Sequence, residues 1–397
     1  MILAAGGGET SLALVEVGGV LLVLALLTRL AQRLKLSAVP FALALGLVLG
    51  AGIGLDAADG FLEVAAQIGV VLLLLLLGLE YTPDELIENL KAHAVSGAVD
   101  LVANATPGVV LALVMGWGVE GAVALGGITY ISSSGVIAKT LSDLGRLGNR
   151  ETPAVLSVLV IEDLVMAAYL PVLTVLLVSG DDGGGSSSVV LALVAAVVIL
   201  VVAVRGSATI SRLVASRSDE VLLFGVLGLG LLVAGLAEQL SVSGAVGAFL
   251  VGIAVSGATA TRAEPLLRPL RDLFAAAFFV FFALGVDIDT LGSTLPAAIG
   301  LAVVGAVTKV GTGWWAARRA GIAPAGRWRA GTVLVSRGEF SIVIAGLAAG
   351  VAPELAPLAA GYVLLTAVGG TVLTRLVDVA AERRRKRAGP VRATPGT

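Results

Sequence analysis

Cysteine is absent from the 397 residues, and histidine occurs once, at His93. The first absence removes disulfides, thiolate nucleophiles and cysteine metal sites, and the second leaves no imidazole pair for zinc and no histidine base beside a serine. His93 reads as an interfacial residue near a membrane boundary. Charge is scarce too: Asp, Glu, Lys and Arg make up 14% of the chain, where a soluble domain usually carries about 25%. Also missing is a GxGxxG unit after a strand, so Gly6 to Gly8 and Gly183 to Gly185 read as loop glycines rather than a phosphate cradle. No cofactor and no nucleic-acid partner is expected.

What the chain has instead is apolar length. Hydrophobic residues make up 57% of it and the mean hydropathy is +1.02. That composition describes a polytopic membrane protein, with the lipid bilayer as its first partner. Spans need roughly 17 to 25 apolar residues, and about thirteen can be drawn. Their cores are 11–28, 37–54, 61–79, 93–115, 119–139, 154–178, 188–204, 220–237, 242–257, 272–286, 295–316, 330–350 and 356–377. Helices are expected throughout, because a spanning helix satisfies its own backbone and barrel strands would show short alternating runs.

The net charge of −2 hides a segregation. Alternate connections carry Arg29, Arg33 and Lys35; Lys91; Arg146 and Arg150; Arg205, Arg212 and Arg217; Arg262, Arg268 and Arg271; and Arg318, Arg319, Arg327 and Arg329. The intervening ones, such as GLDAADG from Gly54 and SGDDGGGSSS from Ser179, have no Lys or Arg. By the positive-inside rule the N-terminus lies outside and the basic end, residues 381–397, in the cytoplasm of a cell-membrane protein. MILAAGGGET lacks a basic leader, so the first span is expected to be retained. Residues 1–380 then form one transmembrane domain, with halves at about 11–178 and 220–378 and a linker helix at 188–204. Asp287 and Asp289 fall near the outer surface and read as solvated loop carboxylates.

Some charge lies where the bilayer should be. Glu162 and Asp163 are adjacent within an apolar stretch, and Lys309 and Arg337 sit deep in others, with Glu16, Asp100 and Glu339 as further deep or near-deep acids. Such groups are costly in a span unless they are paired or line an aqueous path. Neighbours on a helix point about 100° apart, so one carboxylate of the dyad can face a cavity while the other meets a cation. A purely structural ion-pair network is the alternative.

Two spans look interrupted. GGITYISSSGVIAKTL places Ser132, Ser133, Ser134 and Gly135 in the fifth, and SRGEFS places Gly338 between charged residues in the twelfth. With span seven as a linker, the fifth and twelfth correspond, as an inverted repeat requires. Small residues that only allow close helix packing are the competing explanation.

GVVLLLLLLGLE from Gly69, the SSSG run, the acidic pair, FFVFFALGVDID from Phe278 and RGEFS, in this order, resemble the second cation:proton antiporter family, the Kef-type potassium and NapA-type sodium exchangers. The resemblance runs from about residue 11 to 380. It implies an all-α membrane fold of about thirteen transmembrane helices with two unwound crossing helices, NhaA/NapA-like. It also implies a homodimer, each protomer having a scaffold panel and a mobile core of about six helices. Function by resemblance is antiport of a monovalent cation, K⁺ or Na⁺, against protons. Asp163 matches the aspartate that binds cation or proton. Ser132, Ser133 and Ser134 match the first unwound segment and Arg337 to Phe340, including Glu339, the second, while Lys309 matches a core lysine. Glu162 departs from the Asn, Gln or Asp common at its place, and leaves open whether exchange carries net charge.

The chemistry expected is competition: a proton or a partly dehydrated monovalent cation occupies one carboxylate, and mutual exclusion couples their gradients. A divalent ion would call for more oxygen ligands. Kef-type members often continue into a nucleotide-binding domain, whereas only a short basic tail follows here, so regulation points to a separate cytoplasmic subunit or to the core itself. Nothing reads as enzyme machinery beyond a rival aspartyl protease pairing of Asp163 with Asp100. A symporter or uniporter on the same fold remains an alternative.

Overall fold

The computed structural model describes residues 7–34, 36–51, 59–79, 83–181, 209–239, 244–255 and 257–387. Helices dominate: α1 Gly7–Leu34, α2 Val39–Gly50, α3 Asp59–Leu79, α4 Pro83–Val114, α5 Gly118–Tyr130, α6 Ser134–Asp143, α7 Thr152–Asp181, α8 Asp219–Gln239, α9 Gly244–Ala254, α10 Ala258–Leu284, α11 Ile288–Arg319, α12 Pro324–Val333, α13 Glu339–Leu347 and α14 Leu355–Arg387. Each expected core falls on one of these helices or on a consecutive pair, except 188–204, which lies outside the described residues together with Gly183 to Gly185.

Among the described residues, seven helical stretches are long and apolar enough to cross a membrane. Length and apolarity alone therefore do not reproduce a count of thirteen. One reason is that α2 and α9 have only 12 and 11 residues. Another is that the twelfth expected core is divided between α12 and α13, of 10 and 9 residues. At the end of the chain α14 continues through Arg387, so helix runs on past the expected boundary at 380.

The helices sort into two groups by what they pack against. In the first, α3 lies against α9 and α10, and α10 against α2. Contact is close because it is made through glycines: a Cβ on Gly69 would stand 2.2 Å from the Phe274 carbonyl oxygen, and one on Gly78 would stand 2.8 Å from the Gly252 Cα. Small residues let backbones approach where lipid offers no hydrophobic drive to associate. In the second group, α4, the α5/α6 pair and α7 are followed later in the chain by α11, the α12/α13 pair and α14. The same order, helix, broken helix, helix, recurs, and α4 packs on both α7 and α11. An apolar core that includes Leu125, Ile128, Met166, Leu170, Ile344 and Tyr362 joins α5, α7, α13 and α14.

Asp287, one of the expected loop carboxylates, is the N-cap of α11. It accepts hydrogen bonds from the Thr290 hydroxyl at 2.5 Å and from the backbone N–H groups of Asp289 and Thr290 at 3.2 Å each. The Thr290 hydroxyl foremost, then the Asp289 N–H, hold its carboxyl below the usual carboxylate value. A lowered value in the folded state means that the cap contributes fully above the ordinary carboxylate pKa and is lost as pH falls through the lowered one. Amide exchange at Asp289 and Thr290 should accelerate across that acidic window in the native chain and lose this pH step in Asp287→Asn.

Candidate functional site

The two broken helices cross where they unwind. Helix α5 ends at Tyr130, with Ile131 in extended conformation at ψ 129°, and α6 starts at Ser134. Residues 334–338 separate α12 from α13. The two unwound segments touch through their backbones, the Ser133 N–H donating to the Ser336 carbonyl at 2.9 Å. Gly338 makes the approach possible, because a Cβ there would stand 2.4 Å from the Ser133 Oγ.

Each break exposes carbonyl groups that a continuous helix would have satisfied. Arg337, fully buried, supplies donors to both. Its Nε and Nη2 donate to the Thr129 carbonyl at 3.2 and 2.9 Å, and its Nη1 donates to the carbonyls of Leu334 and Val335 at 3.1 and 3.2 Å. A cation is well placed there because C-terminal helix ends carry partial negative charge. Ser341 adds a bond from its hydroxyl to the Ile128 carbonyl at 2.9 Å. The hydrogen bonds of Arg337 thus go to carbonyls and, at 3.4 Å, to the Ser132 Oγ, rather than to the dyad.

Lys309 takes the other role. Its Nζ stands 2.6 Å from Asp100 Oδ2 and 2.6 Å from Glu162 Oε1, all three residues being at most 2% exposed. The Tyr130 ring lies 5.4 Å from the same ammonium. Around Asp100, the Thr312 hydroxyl donates to Oδ1 at 2.7 Å and the Asn104 amide to Oδ1 at 2.9 Å. Glu162 also accepts from the Ser132 N–H at 2.5 Å and the Ser132 hydroxyl at 3.1 Å. Helices α4, α7 and α11 are therefore joined to the first break through one lysine. Asp100, weighed above as a protease partner for Asp163, has its oxygens bonded by Lys309, Thr312 and Asn104.

Asp163 turns elsewhere. It borders a cavity of about 690 Å³ that is also lined by Ser134, Gly135, Glu339 and Phe340. The Ser134 hydroxyl lies 3.4 Å from Asp163 Oδ2. Exposed Arg268 and Asp272 on α10 mark the mouth, and α1, α2, α3 and α7 contribute Thr28, Val39, Leu73 and Leu159 to the walls. Glu339, on the first turn of α13, accepts from the Ser133 hydroxyl at 2.8 Å.

The three serines thus divide. Ser132 joins Glu162 to the Leu334 carbonyl, Ser133 joins Glu339 and also caps α6 through the Val136 N–H at 3.2 Å, and Ser134 faces the cavity with Asp163. Of the expected cationic pair, Lys309 reaches the dyad through Glu162, while Arg337 and Glu339 point to different partners. Sequence reasoning passed over Asn104 and Thr312. A signal was present for Asn104: four residues after Asp100 it shares a helix face with it in an otherwise apolar run.

Two crossed broken helices beside a buried dyad, with one carboxylate on a cavity, define a secondary transporter of the broken-helix class. The model of the sodium/hydrogen exchanger transmembrane family matches residues 19–379, and the chain belongs to that family. It is 32% identical over 373 residues to the K⁺/H⁺ antiporter subunit KhtU of Bacillus subtilis, covering 91% of this chain and 92% of that protein. It is 31% identical over 376 residues to the ammonium/H⁺ antiporter subunit AmhT of Alkalihalophilus pseudofirmus, covering 93% and 94%. The solved sodium proton antiporter MjNhaP1 of Methanocaldococcus jannaschii superposes with a TM-score of 0.69 over 94% of this chain and 98% of that one, at 17% identity, which establishes the shared fold.

Proposed function

We propose that this chain exchanges a monovalent cation, K⁺ or Na⁺, for protons across the cell membrane, with Asp163 as the group that takes either ion. The supporting observation is the division of the dyad: Glu162 is held by Lys309 and Ser132, while Asp163 borders the cavity beside Ser134. A carboxylate between protein and an aqueous cavity can exchange one small cation for another without disturbing the pairs behind it. Ser134 supplies a hydroxyl oxygen to a dehydrated cation.

In this reading Glu162, Ser132 and Ser133 position the site, and Lys309, Arg337 and Glu339 balance charge and hold the crossing. The cavity mouth carries Arg268 and Arg271, residues assigned to the cytoplasmic side by the charge pattern, so the conformation described here is open to the cytoplasm. Transport then requires the group carrying the crossed helices to move against α2, α3 and α8–α10. A homodimer fits the exposed apolar residues of α1, such as Leu14, Val15 and Leu22, each 70% exposed in the single chain. KhtU and AmhT are both named as antiporter subunits, which favours a separate regulatory subunit here as well.

The test is proton movement in proteoliposomes with an imposed pH gradient and pulses of K⁺, Na⁺, Li⁺ or NH₄⁺. Cation-dependent collapse of the gradient supports antiport and names the ion. Cation uptake that proceeds without any proton movement would replace antiport with uniport.

A further inference from the structure

We propose that a groove on the outer face of α11, α12 and α14 is a binding site for an anionic phospholipid, its acyl chain lying in the groove and its phosphate held by Arg318 and Arg327. The inference does not depend on which ions are exchanged.

The groove has a volume of about 470 Å³ and is lined by Ala306, Val307, Val310, Gly311 and Trp314 of α11, Trp328 of α12 and Leu373 of α14. Its size lies within the usual range for small-molecule sites, about 300 to 1,000 Å³. The α11 contribution is one helical stripe, and its smallest member keeps the groove open: a Cβ on Gly311 would meet nothing within 4 Å. Trp328 leaves 52% of its surface uncovered. Indoles of this kind settle at the headgroup level of a bilayer, where one end is apolar and the other polar.

Charge at the end of the groove says what covers it. The guanidinium carbons of Arg327 and Arg318 stand 5.2 and 5.7 Å from the centre of the Trp314 ring. Two like charges are thus gathered around one side chain. Arg327 is fixed further by its Nε donating to the Ile322 carbonyl at 2.6 Å. Nearby Arg329 pairs with Glu151 at 2.9 Å, but among the described residues neither Arg318 nor Arg327 forms an ion pair with a carboxylate. Arginine presents a planar set of donors that suits phosphate oxygens. An apolar channel that ends in two unneutralised guanidinium groups and exposed indole matches one ligand chemistry, an acyl chain with an anionic headgroup. The charge pattern places this end at the cytoplasmic leaflet, where anionic lipids attract basic residues.

Tryptophan quenching by phospholipids brominated on the acyl chain tests this, because Trp314 and Trp328 line the groove. The protein is reconstituted in phosphatidylcholine, and brominated phosphatidylglycerol is compared with brominated phosphatidylcholine at equal mole fractions. We expect phosphatidylglycerol to quench at a mole fraction lower on the order of tenfold, given two basic contacts. That advantage should vanish in an Arg318→Gln, Arg327→Gln double variant. Gly311→Leu, whose Cβ has open space and whose side chain extends into the groove, should reduce quenching by both lipids. Thermal unfolding midpoints equal to the parent confirm that the variants are folded; if the double variant does not fold, Gly311→Leu carries the test alone. Equal quenching by the two lipids in the parent overturns the proposal. So does displacement of phosphatidylglycerol by millimolar glycerol phosphate, which would reduce the site to a phosphate contact, and so does undiminished quenching in folded Gly311→Leu.

Discussion

Asp163→Asn should lower cation-driven proton flux in proteoliposomes to the level of protein-free vesicles while leaving the protein folded. The amide occupies the same volume, but it takes up no proton and turns a hydrogen-bearing nitrogen or a neutral oxygen toward an arriving cation. Neither half of the exchange then has a carrier. The fold should tolerate the change, because Asp163 is not among the partners of Lys309, the isosteric amide keeps an oxygen for the Ser134 hydroxyl, and a charge removed from membrane depth no longer has to be desolvated. Asp163→Glu, which retains the charge on a longer stem, should preserve some flux with altered cation preference. Full activity in Asp163→Asn would refute the assignment of this residue. A variant that loses flux and also unfolds would refute the separation of transport from stability.

The second large effect belongs to Lys309. Replacing it with Met leaves Asp100 and Glu162, both at most 2% exposed, without the ammonium that bonds to both. Breaking a buried pair costs about 3 to 5 kcal/mol, most of it from the uncompensated charge left behind. Lys309→Met should therefore lower unfolding stability by about that much, whereas Arg329→Met, at a half-buried pair with Glu151, should cost distinctly less. Because Asp100 and Lys309 share one interaction, the double change Asp100→Asn with Lys309→Met should cost less than the sum, with a coupling of about 0.5 to 3 kcal/mol. Strict additivity in reversible unfolding, or a Lys309→Met stability equal to the parent, would show that the triad is not what joins α4, α7 and α11.

What could be read in advance follows from the range of the forces concerned. Helix breaks are local events: serine and glycine weaken the backbone hydrogen-bond ladder, so Ser132 to Gly135 and Gly338 marked the two breaks, while the structure sets them at 131–133 and 334–338, with Ser134 and Gly135 already in α6. The divergence of Glu162 and Asp163 was equally local, being a matter of 100° per residue. Choice of partner is not local. Lys309 meets Asp100 across 209 positions and Glu162 across 147. Asp100 and Asp163 were both available to it in the sequence, and only the packing of α4 against α11 decides between them. Arg337 was harder still, since its partners are main-chain carbonyls, which no side-chain pattern distinguishes. The serines looked like one cation-binding run because they are consecutive, but the chain changes from the unwound segment to helix between Ser133 and Ser134, so they do not share one helical face and each found a different neighbour.

That choice of main-chain partners by Arg337 bears on how the site can change over time. The carbonyls of Thr129, Leu334 and Val335 belong to the part of each residue that substitution does not alter. The side chains of those three residues can therefore change without removing the acceptors through which Arg337 joins the two broken helices. The demand for constancy falls on Arg337 itself and on Gly338, whose missing Cβ lets the two segments meet.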